Sequence, residues 1–126
     1  MITGSSTTWC QVSDMDRAVE FYRDALGLKP GHISPYWTDF ELGSGRIGLH
    51  PKLEGSEEPL GTPGKGWYLG MTTSDLLATR NAIENSKGTV IGGFHDTPSG
   101  AVLTVADPDG NPIQIMQLGV TSAELG

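Results

Sequence analysis

The chain has 126 residues, the size of a single domain, and can bury roughly two-thirds of its unfolded surface in one core. With 18 Gly and 8 Pro it is rich in turns and short strands, which disfavours a helical bundle. A net charge of -7 opposes sustained contact with nucleic-acid phosphates, and no window approaches the roughly 18 consecutive apolar residues of a membrane span.

The single cysteine, Cys10, cannot form an intramolecular disulfide. The start MITGSSTTW lacks the basic residues and apolar run of a secretory signal, so a reducing cytoplasm is the expected setting. The acidic balance suits solubility first and the attraction of a cationic small molecule second.

In chain order, Thr7 to Ser13 predicts a strand, and Asp14 a helix N-cap. The helix that follows has an apolar stripe of Ala18, Val19, Tyr22 and Ala25 and stops at Gly27. Short strands are expected around Pro30 to Ile33, Trp37 to Leu42 and Arg46 to His50. The stretch 51–66 has linker composition. Tyr68 to Thr73 then repeats the opening strand, Asp75 the cap, and Leu76, Thr79, Ala82 and Ile83 a weaker stripe that stops at Gly88. Both stop glycines are expected to take the left-handed conformation that ends a helix. Strands at Thr89 to Gly93, Ala101 to Ala106 and Pro112 to Gln117 complete the second copy, with the turn Asp107-Pro-Asp-Gly-Asn111 before the last. One α+β domain over 1–126 is expected, with βαβββ modules at 5–50 and 67–118 and a tail at 119–126 that frays or docks on a partner.

The strand followed by Ser13-Asp-Met-Asp-Arg-Ala-Val-Glu-Phe-Tyr-Arg-Asp-Ala-Leu-Gly27, together with Asp107-Pro-Asp-Gly-Asn-Pro-Ile113, strongly resembles the vicinal oxygen chelate superfamily. That group contains glyoxalase I, extradiol dioxygenases, and fosfomycin and bleomycin resistance proteins. The resemblance covers about Thr7 to Gln117 and implies two βαβββ modules whose mixed sheets curve around a cleft. In metal-using members a divalent ion sits in that cleft, and a homodimer sharing the pocket between chains is common.

The family's ligand positions hold the wrong residues here. Metal-using members place a His seven residues before each helix-starting Asp, where this chain has Thr7 and Tyr68. The acid of an apolar-acid-apolar triplet is replaced by Gly48, between Ile47 and Leu49, and the acid of the last strand by Gln114. A divalent ion needs several imidazole and carboxylate donors at once, so no metal and no cofactor is expected.

Side chains alternate along a strand, so a cleft-facing Thr7 brings Trp9 and Gln11 with it, Tyr68 brings Gly70 and Thr72, Gln114 brings Met116, and Gly48 brings Arg46 and His50. Aromatic faces, a thioether, amides and an imidazole describe a small-molecule pocket, with Gly48 and Gly70 leaving room for a ligand. The expected ligand-binding residues are Thr7, Trp9, Gln11, His50, Tyr68, Gln114 and Met116, with no catalytic residue among them. Cys10 is expected to face the helices, Trp37 to belong to the core, and Asp39 and Glu41 to face solvent.

The leading expectation is a metal-independent binding protein of the bleomycin-resistance type, homodimeric, for a small, planar or cationic ligand. A glyoxalase-type lyase, isomerase or dioxygenase with a shifted site built on His50 and Gln114 is the alternative. A third is an interaction module whose cleft is filled by its own side chains.

Overall fold

The computed structural model describes residues 8–43, 45–52 and 69–126. Thr7, Tyr68 and all but the first two positions of the 51–66 linker lie outside the described residues.

The first module runs β1 (Thr8–Val12), α1 (Met15–Glu20), β2 (Lys29–Ile33), β3 (Thr38–Leu42) and β4 (Gly45–Pro51). The second runs β5 (Leu69–Thr72), α2 (Leu76–Glu84), β6 (Thr89–Asp96), β7 (Gly100–Ala106) and β8 (Pro112–Leu118). Each module makes a four-stranded mixed sheet, in the orders β1-β4-β3-β2 and β5-β8-β7-β6. The pairs β1–β4 and β5–β8 are parallel and the rest antiparallel. The helix carries the chain from the first strand to the far edge of the sheet, and two antiparallel turns then bring the fourth strand back to pair parallel with the first.

Both helices start as their sequence predicts. Asp14 accepts from Arg17 N at 3.1 Å and Asp75 from Ala78 N at 3.0 Å. The Gln117 side chain adds a second cap, its Oε1 accepting from Leu76 N at 2.8 Å. After Glu20 the first helix widens into a π turn, Phe21–Ala25, closed by Leu26 N donating to Phe21 O at 3.1 Å. The wider turn buries two consecutive aromatics, Phe21 and Tyr22, packed edge to face at 5.2 Å. A regular 3.6-residue stripe contains Tyr22 and omits Phe21, so Phe21 is a core residue that periodicity misses.

The two stop glycines differ. Gly27 has φ 72° and ends its helix as expected. Gly88, contrary to expectation, has no positive φ; a methyl there would overlap the Phe21 ring and lie 2.8 Å from the Ala106 carbonyl oxygen. Its glycine is required by close packing between the modules. The tail also docks on its own chain: a 3-10 turn at Ser122–Leu125 packs by β6, with Ser122 N and Oγ both donating to Asp96 at 2.7 Å.

One continuous core joins the modules, taking Cys10, Phe40, Ile47 and Leu49 from the first sheet and Leu103, Val105, Ile113 and Ile115 from the second. The polar counterpart of this contact is the 107–111 turn. Asp107 is 2% exposed; it accepts from Tyr22 Oη at 2.8 Å, from Asn111 N and Nδ2 at 2.8 Å each, and from Asp109 N at 3.0 Å. Asp109 in turn accepts from Ser13 N and Oγ, and Arg17 lies 3.7 Å away. Burial pushes the Tyr22 phenol well above its usual value, with the Asp107 carboxylate adding to the rise, so Tyr22 remains a donor at neutral pH.

Tyr22→Phe removes one donor to a buried carboxylate and is expected to lower stability by about 1.5–3 kcal/mol. Asp107→Ala leaves several donors without an acceptor and should cost more than Tyr22→Phe. Urea unfolding of both variants measures this, and losses of only a few tenths of a kcal/mol would show that the turn does not hold the modules together.

Candidate functional site

The sheet face turned away from the core can be read strand by strand from register. On the first sheet Trp9 lies opposite Gly48, Gly48 opposite Asp39, Gln11 opposite His50, and Glu41 opposite Arg46. Cys10, Val12, Ile47 and Leu49 point the other way and are buried. Burial pushes the Cys10 thiol far up, which removes thiolate chemistry from that residue.

The outward face of the first sheet is aromatic. The rings of Trp9 and His50 are 5.6 Å apart and tilted by 46°, and Trp37 meets His50 edge-on at 6.5 Å. Trp9 is 37% exposed and His50 partly exposed. His50 Nδ1 lies 2.7 Å from the Pro51 carbonyl oxygen, so in the neutral ring Nδ1 carries the proton and Nε2 is the acceptor. Gln11 shares this face but is 1% exposed.

Trp37 was expected in the core and is instead half-buried on this face. Its indole covers Gly48 so closely that a methyl on Gly48 would overlap the ring, and the room that Gly48 was expected to leave for a ligand is taken. A large ring laid over a glycine of the neighbouring strand shields the exposed backbone there. The signal was present in the sequence as the shared parity of Trp37, Asp39 and Glu41.

Asp39, expected to face solvent, fixes the indole. Trp37 Nε1 donates to Asp39 Oδ2 at 2.9 Å, while Oδ1 accepts from Arg46 Nη1 at 2.9 Å and His32 N at 3.1 Å. The Trp37 hydrogen bond, opposed in part by burial and helped by His32 N and Arg46, holds the Asp39 carboxyl below the usual range. Gly31 makes room for the pair, since a methyl there would overlap both Asp39 and Arg46. Glu41 is exposed and meets Lys29 at 3.8 Å.

The second sheet carries a different surface. Gly70 lies opposite Gln114, which lies opposite Thr104; Thr72 lies opposite Met116, which lies opposite Val102. A pocket of about 220 Å³ is lined by Leu69, Gly70, Thr104, Pro112 and Gln114. A second, of about 390 Å³, shares Gly70 and Gln114 and adds Met71, Thr72, Val102 and Met116, with Leu42 and Gly43 reaching in from the β3–β4 turn. Among the described residues nothing lies within 4 Å of a methyl placed on Gly70. Of the residues read as ligand-binding, Trp9 and His50 therefore meet on one sheet and Gln114 and Met116 on the other; Thr7 and Tyr68 lie outside the described residues. Neither pocket of the second sheet is lined by Trp9, Trp37 or His50.

A divalent ion does not fit the donors of the described residues. Among the described residues no three His, Cys, Asp or Glu side chains come together. Gly48 has no donor atom and lies under an indole, and Gln114 offers one neutral amide.

Two mixed sheets, each with a helix crossover, joined back to back through one core, define the glyoxalase/bleomycin-resistance type of fold. The chain belongs to the Glyoxalase/Bleomycin resistance protein/Dioxygenase superfamily, whose family model matches residues 6–115. A glyoxalase-related enzyme from Fulvimarina pelagi shares 16% identity at TM-score 0.76, over 92% of this chain and 88% of that one. TnmS3, an antibiotic binding protein from Streptomyces sp. CB03234, shares 24% at 0.71, over 94% and 98%. The lactoylglutathione lyase of Agrobacterium tumefaciens shares 21% at 0.70, over 93% and 95%. No curated protein sequence matches. Among the described residues no helix is long and apolar enough to cross a membrane.

Because the folded Asp39 carboxyl titrates below its unfolded value near 3.9, its contribution to stability is present above that pH and is lost as pH falls through the folded value. The stability gap between wild type and Asp39→Ala should therefore close in acid, together with a change in Trp37 emission that Trp37→Phe abolishes. A gap that stays constant from neutral pH down to about pH 2 would mean that Asp39 does not hold the indole.

Proposed function

We propose that this protein binds a small, partly planar molecule without a metal, for sequestration or sensing. The observation that carries this reading is the Trp37 indole lying over Gly48, an aromatic wall at the place where metal-using relatives offer a carboxylate. Trp9, His50 and Trp37 supply stacking faces, and Gln114, Thr72 and Thr104 supply neutral hydrogen-bonding groups on the second sheet. The fold shared with TnmS3, an antibiotic binding protein, is in keeping with such a role.

A homodimer belongs to the same reading. Trp9 on the first sheet and Tyr36 in the β2–β3 turn, the latter 79% exposed, present aromatic surface, and the second sheet carries open pockets that a facing copy would help to close. Sedimentation analysis should give twice the 13.4 kDa chain mass at micromolar concentration, and a strict monomer would remove the dimer from the proposal.

Binding is read by quenching of tryptophan emission with planar aromatic compounds. Trp9→Ala should weaken the tightest binder about tenfold, the loss of one stacking contact worth about 1.4 kcal/mol. Dialysis against chelator should leave binding unchanged. Activity or affinity that requires Zn, Ni, Mn or Fe and disappears in His50→Ala would instead support the lyase or dioxygenase alternative.

A further inference from the structure

We infer that the part of the ligand seated on the second sheet is uncharged, and that Gly70 and Gln114 select for it; this rests on the small-molecule-binding reading above. The two pockets there share Gly70 and Gln114 and so form one trough, and among the described residues no ionisable side chain lines either of them. The walls are Leu42, Leu69, Met71, Val102, Pro112 and Met116, and the polar groups are the hydroxyls of Thr72 and Thr104 and the Gln114 amide.

A charged group moved from water into such a trough loses hydration and gains no counterion. A neutral group with a carbonyl, amide or ring nitrogen loses less, and Gln114 can both donate to it and accept from it. Carboxylates elsewhere on the outward faces do not change this. Asp39 already accepts from Arg46, Trp37 and His32, and Glu41 faces Lys29. By register His95 on β6 lies opposite Val102, and a histidine offers no countercharge to a cation. The net charge of -7 attracts cations toward the molecule as a whole, but the described residues of the trough give them no partner. The cationic ligand that the acidic composition suggests is therefore disfavoured at this surface.

Gly70 sets the depth of the trough. Its Cα lies opposite Gln114 and no described residue occupies the space above it, so a side chain there would fill the seat without displacing any of them.

The test uses two probes of one shape, neutral phenazine and the N-methylphenazinium cation, titrated calorimetrically into the full chain. Phenazine should bind at least about tenfold more tightly. Gly70→Val should reduce phenazine affinity by about tenfold with its melting temperature unchanged, and Gln114→Glu, measured with chelator present, should shift the preference toward the cation. If the cation binds wild type as tightly as phenazine, or if Gly70→Val leaves phenazine affinity intact, the inference is overturned while the binding reading stands. If neither probe binds at about millimolar concentration, both fall.

Discussion

The Asp107 carboxylate sits at the junction of the two modules, out of reach of water, and the fold is arranged to satisfy it there. Burial pushes this carboxyl upward in pKa, and the Asn111 side chain and backbone, Tyr22 and the Asp109 backbone oppose that rise. A buried acceptor with four donors is costly to disrupt from any side, because each donor loses its partner when the acid goes. Tyr22 comes from the first module and Asn111 from the second, so the same oxygens that close the turn also join the halves. The π turn and Gly88 follow from this contact: the wider turn places Phe21 beside Tyr22, and Phe21 fits only because position 88 has no side chain.

A second constraint governs the outward face. A glycine in the middle of a strand exposes backbone and packs nothing, and β4 carries one between Ile47 and Leu49. Trp37, just before β3, covers it, Asp39 fixes the indole nitrogen, and Gly31 clears space for the Asp39–Arg46 pair. The glycine at 48 and the indole above it thus form a single packed unit. A carboxylate side chain placed at 48 would have to evict the ring before it could meet a cation.

Much of this was legible in the sequence because local rules and the global fold agree. The Ser-Asp helix starts, the repeated module order and the inward position of Cys10 follow from caps, periodicity and parity. The direction of Trp37 did not follow: the first sheet has a buried face carrying Phe40 and an outward face carrying Trp9 and His50, so an aromatic residue alone does not say which side is the core. Phe21 escaped because the π turn changes the helical period for one turn. Gly88 was legible as a glycine that had to be there, but a left-handed stop and a close approach by Phe21 leave the same letter in the sequence. The tail carried no strong pattern, and it is placed by Asp96, a residue 26 positions earlier.

The two constraints meet in β8. Asn111 is buried and bonded to Asp107, so the strand that begins at Pro112 leaves the junction in a fixed direction. Three residues on, Gln114 faces outward opposite Gly70, while Ile113 and Ile115 on either side are locked in the core and Gln117 caps α2. The amide is exposed, yet the backbone that carries it is held at both ends. A rigid strand presenting one neutral donor-acceptor group over an open glycine is suited to choosing among ligands by hydrogen bonding. With glycine and not carboxylate at 48, that geometry discriminates by shape and polarity, and among the described residues no group of three His, Cys, Asp or Glu side chains stands ready to hold a divalent ion beside it.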